Sequence, residues 1–305
     1  MKLKMGELAV MVGIAIFIVL VQIISLFIAP QLTSYNLQAF GNPQSSWNYA
    51  APIFYVAILL VFTAALLLIL KYKAGWMIKL IMGLAILSTL VYVFFAVLVK
   101  LFPSMSVVVA VLVSCALSII LTGLLFVYQE WFVIDIIGVL VAAGASSLFG
   151  ISLTIIPTIM LLVLLAVYDY ISVYKTRHMI NLAEGVMDLK LPILFVMPRR
   201  WGYSFKNAKG LPPQGEEREA YFMGLGDAVM PTMLAVSANV FLGPSFISFI
   251  NYPALGTVLG TLVSYAALMY TVIKLKKPQA GLPFLCTGAI VGFLLGCLVA
   301  GVNPF

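Results

Sequence analysis

"YFMGLGDAVMPTMLAVSANV", residues 221–240, reads as a single membrane helix with an acid set into it. Asp227 is its only charged residue, and the remaining side chains are apolar, small or hydroxylic apart from the amide of Asn239. An ionisable side chain in such surroundings costs about 2–4 kcal/mol on insertion scales, so it needs a task or a partner. Gly224 and Gly226 beside it leave room for close backbone approach, by a neighbouring helix or by an extended chain. Pro231 has no N–H, so the carbonyl of Asp227, four residues earlier, loses its usual helical partner and needs water or another donor. The spacing predicts a kinked, hydrated spot beside a buried acid.

The remainder of the chain has the same character. Of 305 residues, 64% are apolar and 9% charged, against roughly 25% charged in soluble domains. Several apolar runs exceed the roughly 18 residues that cross a bilayer as a helix, and no series of alternating ten-residue segments suggests a barrel. The expected fold is all-α: a polytopic membrane protein with nine transmembrane helices, at about 8–29, 51–70, 77–99, 105–127, 132–149, 154–174, 221–242, 254–273 and 283–302. The first run is long and lacks a small-residue cleavage site, so it reads as a span rather than a cleaved signal. Cys115, Cys286 and Cys297 fall inside apolar runs and read as small buried hydrophobes. The last two, about 16 Å apart along one helix, cannot bridge each other.

With nine spans, all but one of the 17 Lys and Arg fall on one side of the membrane, the exception being Lys100. Basic residues concentrate in cytoplasmic loops, which places the N-terminus in the cytoplasm and the C-terminus outside. The net charge of +7 is then a topology signal, aided by anionic lipid heads, and not a nucleic-acid surface. No nucleic-acid partner is expected. Trp76, Trp131 and Trp201 lie at span edges, as interfacial aromatics do. The chain divides into a six-helix N-terminal membrane portion (1–175), a cytoplasmic hydrophilic loop (176–220) and a three-helix C-terminal membrane portion (221–305). The loop carries His178, Glu184, Asp188, Glu216, Glu217 and Glu219. Within it "LPILFVMP", residues 191–198, is a β-favouring run between prolines, too short to span, that lies on the membrane surface or offers a strand edge.

Glu7, Glu130 and the loop carboxylates sit at or beyond span ends, where water solvates them. Asp135, a few residues into the fifth span, is placed on the external side, reaching the interface or pairing locally. Asp169, in "LLAVYDYISVYK" (164–175), lies six residues before Lys175, and Asp227 lies eight after Glu219. At 1.5 Å per residue both acids are about 9–12 Å below the cytoplasmic boundary. Consecutive helices in a bundle are commonly neighbours, so the two carboxyls are able to meet across one helix interface. Two close carboxyls in low dielectric do not both ionise easily, and they share a proton as a coupled pair. That is aspartic-protease chemistry: the ionised Asp draws a proton from water as it attacks an amide carbonyl, and the protonated one stabilises the developing oxyanion. The spacing does not say which Asp does which. The same two acids would serve a proton-coupled secondary transporter, but that reading predicts two similar halves, and six plus three helices without a visible repeat fit it poorly. There is no His-Glu-x-x-His, no buried Ser/His pair and only one histidine, so no metal or organic cofactor is expected.

Tyr168-Asp169 in one helix, a long hydrophilic loop, then Gly224-Leu225-Gly226-Asp227 opening the next resembles the presenilin and signal peptide peptidase family of intramembrane aspartyl proteases, with their GxGD motif. The chain looks most like the single-chain archaeal homologues, and "RHMINLAEG" (177–185) is similar to presenilins at the same place. The resemblance implies an intramembrane aspartic endopeptidase that hydrolyses peptide bonds in or near transmembrane segments, with Asp169 and Asp227 catalytic. It implies transmembrane proteins or peptides as substrates and a lipid bilayer around the enzyme; nothing in it sets an oligomeric state. The family's third motif, Pro-Ala-Leu, opens the last span after a basic loop. A literal copy at Pro253, Ala254 and Leu255 lies elsewhere and is set aside, whereas "KKPQAGLP" (276–283) occupies the expected place and aligns Ala280, Gly281, Leu282 and Pro283 with Pro-Ala-Leu-Pro. A substrate helix hides its amides, so it must unwind near the acids, and it is expected to pair as a strand with 191–198 or the segment near Gly281. Gly288, Gly292 and Gly296, and Gly256 and Gly260, recur every four residues and predict close helix packing.

Overall fold

In lipid, a backbone that leaves its N–H and C=O groups unpaired is strongly penalised, so each long apolar run of this chain closes its hydrogen bonds within itself as a helix. The computed structural model describes residues 5–39, 50–72, 75–175, 194–199, 202–205, 220–243, 249–275 and 279–304. Among them are nine helices: α1 (Met5–Ser34), α2 (Ala51–Lys71), α3 (Gly75–Leu101), α4 (Val107–Val127), α5 (Trp131–Ser152), α6 (Ile155–Tyr170), α7 (Leu225–Phe241), α8 (Tyr252–Leu275) and α9 (Gly281–Ala300). Seven are long and apolar enough to cross a membrane, and α2 and α7 are shorter apolar helices. The expected helical arrangement of a polytopic membrane protein is therefore present. His178, Trp201, the loop acids from Glu184 to Glu219 and residues 176–193 and 276–278 lie outside the described residues.

Two strands stand apart from the helices. β1 (Leu194–Pro198) pairs antiparallel with β2 (Ala220–Gly224), with Phe195 opposite Met223 and Val196 opposite Phe222. This corrects the expectation of a helix from 221: residues 220–224 are extended, and α7 begins only at Leu225. A continuous apolar run does not reveal where strand gives way to helix. The partner strand decides it, and β1 lies more than twenty residues away in sequence. Asp227 is thus the third residue of a helix that follows a strand, rather than an acid one turn deep.

Asp135 requires a second correction. Its Oδ1 accepts the Val196 N–H at 2.8 Å, and the residue is 1% exposed. It therefore sits with the β1–β2 hairpin, at the end of the bundle where α6 stops and α7 starts, and not at the opposite interface. The cause is the order of spans, since the short 128–130 connection brings α5 in from that end.

The helix that carries Asp227 occupies the centre. α7 packs against α1, α5, α6, α8 and α9, and it is buried without interruption from Pro231 to Ala238, as a helix surrounded by others must be. α2 and α4 lie outside, turning side chains such as Val61, Val108, Leu112 and Ile120 to the lipid. α8 and α9 form the closest pair. An added Cβ on Gly260 would fall on the Gly288 carbonyl oxygen and within 2.9 Å of the Gly292 Cα, and one on Gly292 would fall on the Gly256 carbonyl oxygen. The expected glycine faces therefore meet each other.

Candidate active site

Asp169 lies one residue before the end of α6 and is buried. Beyond Tyr170 the chain widens into a π turn, Ile171–Lys175, and the buried Ser172 Oγ donates to the Asp169 carbonyl at 3.0 Å. A π turn bonds i to i+5, and such turns recur at functional sites. Here it brings Tyr174, five residues on, to the same neighbouring segment that Asp169 reaches.

Asp227 occupies the third position of α7, with Gly224 as N-cap in an extended conformation. The Gly224 backbone approaches the Asp227 carboxyl, the geometry of a capping box in which an acid at the third position covers an unpaired N–H at the helix start. Gly226 has no atom within 4 Å of where its Cβ would be. That side of the site is open.

The two acids meet at the start of α9. Its N-cap, Ala280, offers no side-chain cap, leaving the first N–H groups without helical partners and the positive end of the helix dipole exposed. Leu282 N–H donates to Asp169 Oδ2 at 3.2 Å, so Asp169 caps α9 from another helix. Gly281, the preceding residue, faces Asp227: an added Cβ would stand 2.7 Å from Asp227 Oδ2 and 2.9 Å from its Cγ. Adjacent residues of one segment thus touch both carboxyls. Cys286, about one turn along α9, lies within electrostatic reach of both.

Tyr174 completes the junction. Its hydroxyl donates to Gln279 Oε1 at 2.6 Å and accepts the Ala280 N–H at 3.4 Å. Sequence reasoning passed over Tyr174 and Gln279. The available signal was the five-residue interval from Asp169, which has meaning only once a π turn is known. Of the other motif residues, Tyr168 and Leu225 are half-buried; Leu225 lies by Gly138 of α5, and the Pro283 carbonyl accepts from Thr287 Oγ1 at 2.6 Å. Pro253, Ala254 and Leu255 instead open α8, where the Asn251 Oδ1 accepts the Ala254 N–H. Because α8 starts where α7 ends, that triplet lies at the far end of α7 from Asp227. Among the described residues, no three His, Cys, Asp or Glu are grouped to hold a metal ion.

The family described as signal-peptide peptidase, presenilin aspartyl protease matches residues 14–302. The chain belongs to that family. Solved structures of a presenilin family intramembrane aspartate protease, in space groups C222 and P2, are similar to this presenilin-family protein at 35% and 36% identity. Each comparison covers 94% of this chain and 97% of that one, with TM-scores of 0.65 and 0.67. No curated protein matches. This presenilin-family protein is accordingly an integral, multi-pass membrane protein and an intramembrane aspartyl endopeptidase, a peptide hydrolase acting on membrane-embedded substrates. Membership disfavours the transporter reading of the two acids.

Proposed function

We propose that Asp169 and Asp227 are the catalytic pair of this protease and that its substrates are single transmembrane helices, unwound at the scissile bond. The observation that carries the proposal is the convergence of the two carboxyls on Gly281 and Leu282. One carboxylate takes a proton from water, whose oxygen bonds to the amide carbon, and the partner acid gives its proton to the carbonyl oxygen. The resulting diol collapses as the amide nitrogen takes up a proton and the C–N bond breaks, leaving a carboxylic acid and an amine. Tyr168, Gly224, Leu225, Gly226, Gly281, Leu282 and Pro283 shape the site around this chemistry.

Supporting a strand-like substrate is the alternation of an antiparallel ladder. Since Val196 sends its N–H to Asp135, its pair with Phe222 is the non-hydrogen-bonded kind, so the N–H and C=O of Phe222 point away from β1. The substrate therefore adds to the outer edge of β2, two residues before Gly224, and not to β1 as the run at 191–198 suggested. The basic-residue asymmetry supports a cytoplasmic N-terminus and an external C-terminus. The test is a detergent assay on a purified single-pass substrate. Asp169→Asn and Asp227→Asn should each abolish product, and wild-type product from both would end the catalytic assignment.

A further inference from the structure

Asp135 is the third acid of the membrane portion, and the chemistry above does not use it. It is 1% exposed, its Oδ1 accepts the Val196 N–H at 2.8 Å, and its Oδ2 is buried with no hydrogen-bond partner among the described residues. A buried acid with one satisfied oxygen is expensive, and what that oxygen holds in place is the contribution set against the cost.

What it does is set by the register. The Val196 N–H points away from β2, and Val196 is fully buried, where an N–H without an acceptor is costly. Asp135 covers that edge at its middle residue. Through the pairing of Phe195 with Met223 and of Met197 with Tyr221, fixing β1 fixes β2, and β2 runs directly into Gly224, the N-cap of the helix bearing Asp227. The same face of α5 touches that junction a second time: an added Cβ on Gly138, about one turn after Asp135, would lie 3.4 Å from the Phe195 ring and 3.1 Å from Leu225. From the other side, the Phe17 ring of α1 stacks on Phe195 with centroids 5.4 Å apart. The strand pair is wedged sideways by packing, and the Asp135 bond to the outer edge of β1 adds a directional hold along the strand.

We propose that Asp135 is a positioning residue for proteolysis: by accepting the Val196 N–H it ties β1, and through the ladder β2, to α5, and so holds the placement of Asp227 and of the substrate strand that lies against β2. The proposal rests on Asp169 and Asp227 being the catalytic pair. It requires an acceptor at position 135, not a charge, so the conservative amide should suffice.

The experiment compares Asp135→Ala, Asp135→Asn and Val196→Pro in the full-length purified protein, with a single-pass transmembrane substrate and mass-spectrometric reading of the cut positions. Proline at 196 removes the same N–H from the other partner and spares the ladder, because that N–H does not face β2; Val196→Ala controls for lost side-chain packing. Expected for Asp135→Ala and Val196→Pro are a kcat lowered roughly 10- to 100-fold, the scale of a misplacement near 1 Å, and cuts spread over neighbouring bonds. Asp135→Asn should restore both rate and cut position. A merely structural role would lower the folded fraction without moving the cuts. Wild-type rate and cut position in Asp135→Ala overturn the proposal, as does an Asp135→Asn protein no better than the alanine variant. Should Asp135→Ala fail to fold, Val196→Pro decides by the same criteria. Wild-type cleavage by Asp169→Asn would instead remove the catalytic pair, a result distinguishable from any outcome at position 135.

Discussion

Gly281→Ala tests the active site through a single methyl group. The added carbon would stand 2.7 Å from Asp227 Oδ2, whereas ordinary contact begins at 3.4 Å, so something must yield by about 0.7 Å. If the Asp227 carboxyl swings aside, it leaves its place against Asp169 by most of an ångström. If the start of α9 retreats, the Leu282 N–H to Asp169 bond, already 3.2 Å, stretches past hydrogen-bonding range, and a bond to a charged group is worth about 1.5–3 kcal/mol. Either response misplaces a reacting group on the scale at which rates fall about 100-fold per ångström. The expected result is a kcat reduced roughly 10- to 100-fold, about 1.4–2.7 kcal/mol in barrier, with KM little changed. The assay is steady-state cleavage of a labelled transmembrane peptide in detergent, with Gly123→Ala as control because nothing lies within 4 Å of an added Cβ there. Full activity in Gly281→Ala would show that Gly281 does not abut a working carboxyl.

The remaining expectations concern the contacts that hold this junction. Tyr174→Phe removes the hydroxyl that links α6 to Gln279 and Ala280; the loss of two such bonds should lower kcat/KM several-fold while thermal unfolding shifts little, about 1 kcal/mol per exposed bond or less. Gly260→Ala drives a methyl onto backbone atoms of α9 that have no rotamer to escape by, and it should destabilise the protein by about 1–3 kcal/mol, read as a lower Tm. Activity should fall with it, since α9 carries Gly281 and Leu282 to the acids. An unchanged Tm would refute the backbone contact.

Much of this arrangement is legible in the residues. Nine apolar runs give nine helices, and the four-residue glycine spacing gives the α8–α9 contact, because both follow from one helix's periodicity alone. Asp169 and Asp227 stand out because acids in apolar runs are rare enough to be weighed singly, whereas setting aside Pro253-Ala254-Leu255 in favour of 280–283 rested on the family resemblance. What escaped was every feature needing two distant segments at once. Residues 220–224 look helical until β1 is placed beside them, and Asp135 has no evident partner until Val196, 61 positions later, is brought to it. Its side of the membrane was also misread, although its place at the start of the fifth span, after a loop on the same side as 175–220, already implied the answer. Tyr174 was hidden because a π turn shifts the periodicity by which faces are counted.

The glycine seam between α8 and α9 constrains how the enzyme admits a substrate. Two helices in backbone contact from Gly256–Gly296 to Gly260–Gly288 behave as one lever, so the Gly281–Leu282 latch is not free to lift away from Asp169 unless α8 travels with it. On the other side of the latch α6 ends in its widened turn, and Asp169 and Tyr174 reach across to it. Any separation of the latch from the acids is therefore a movement of α8 and α9 together, as one unit.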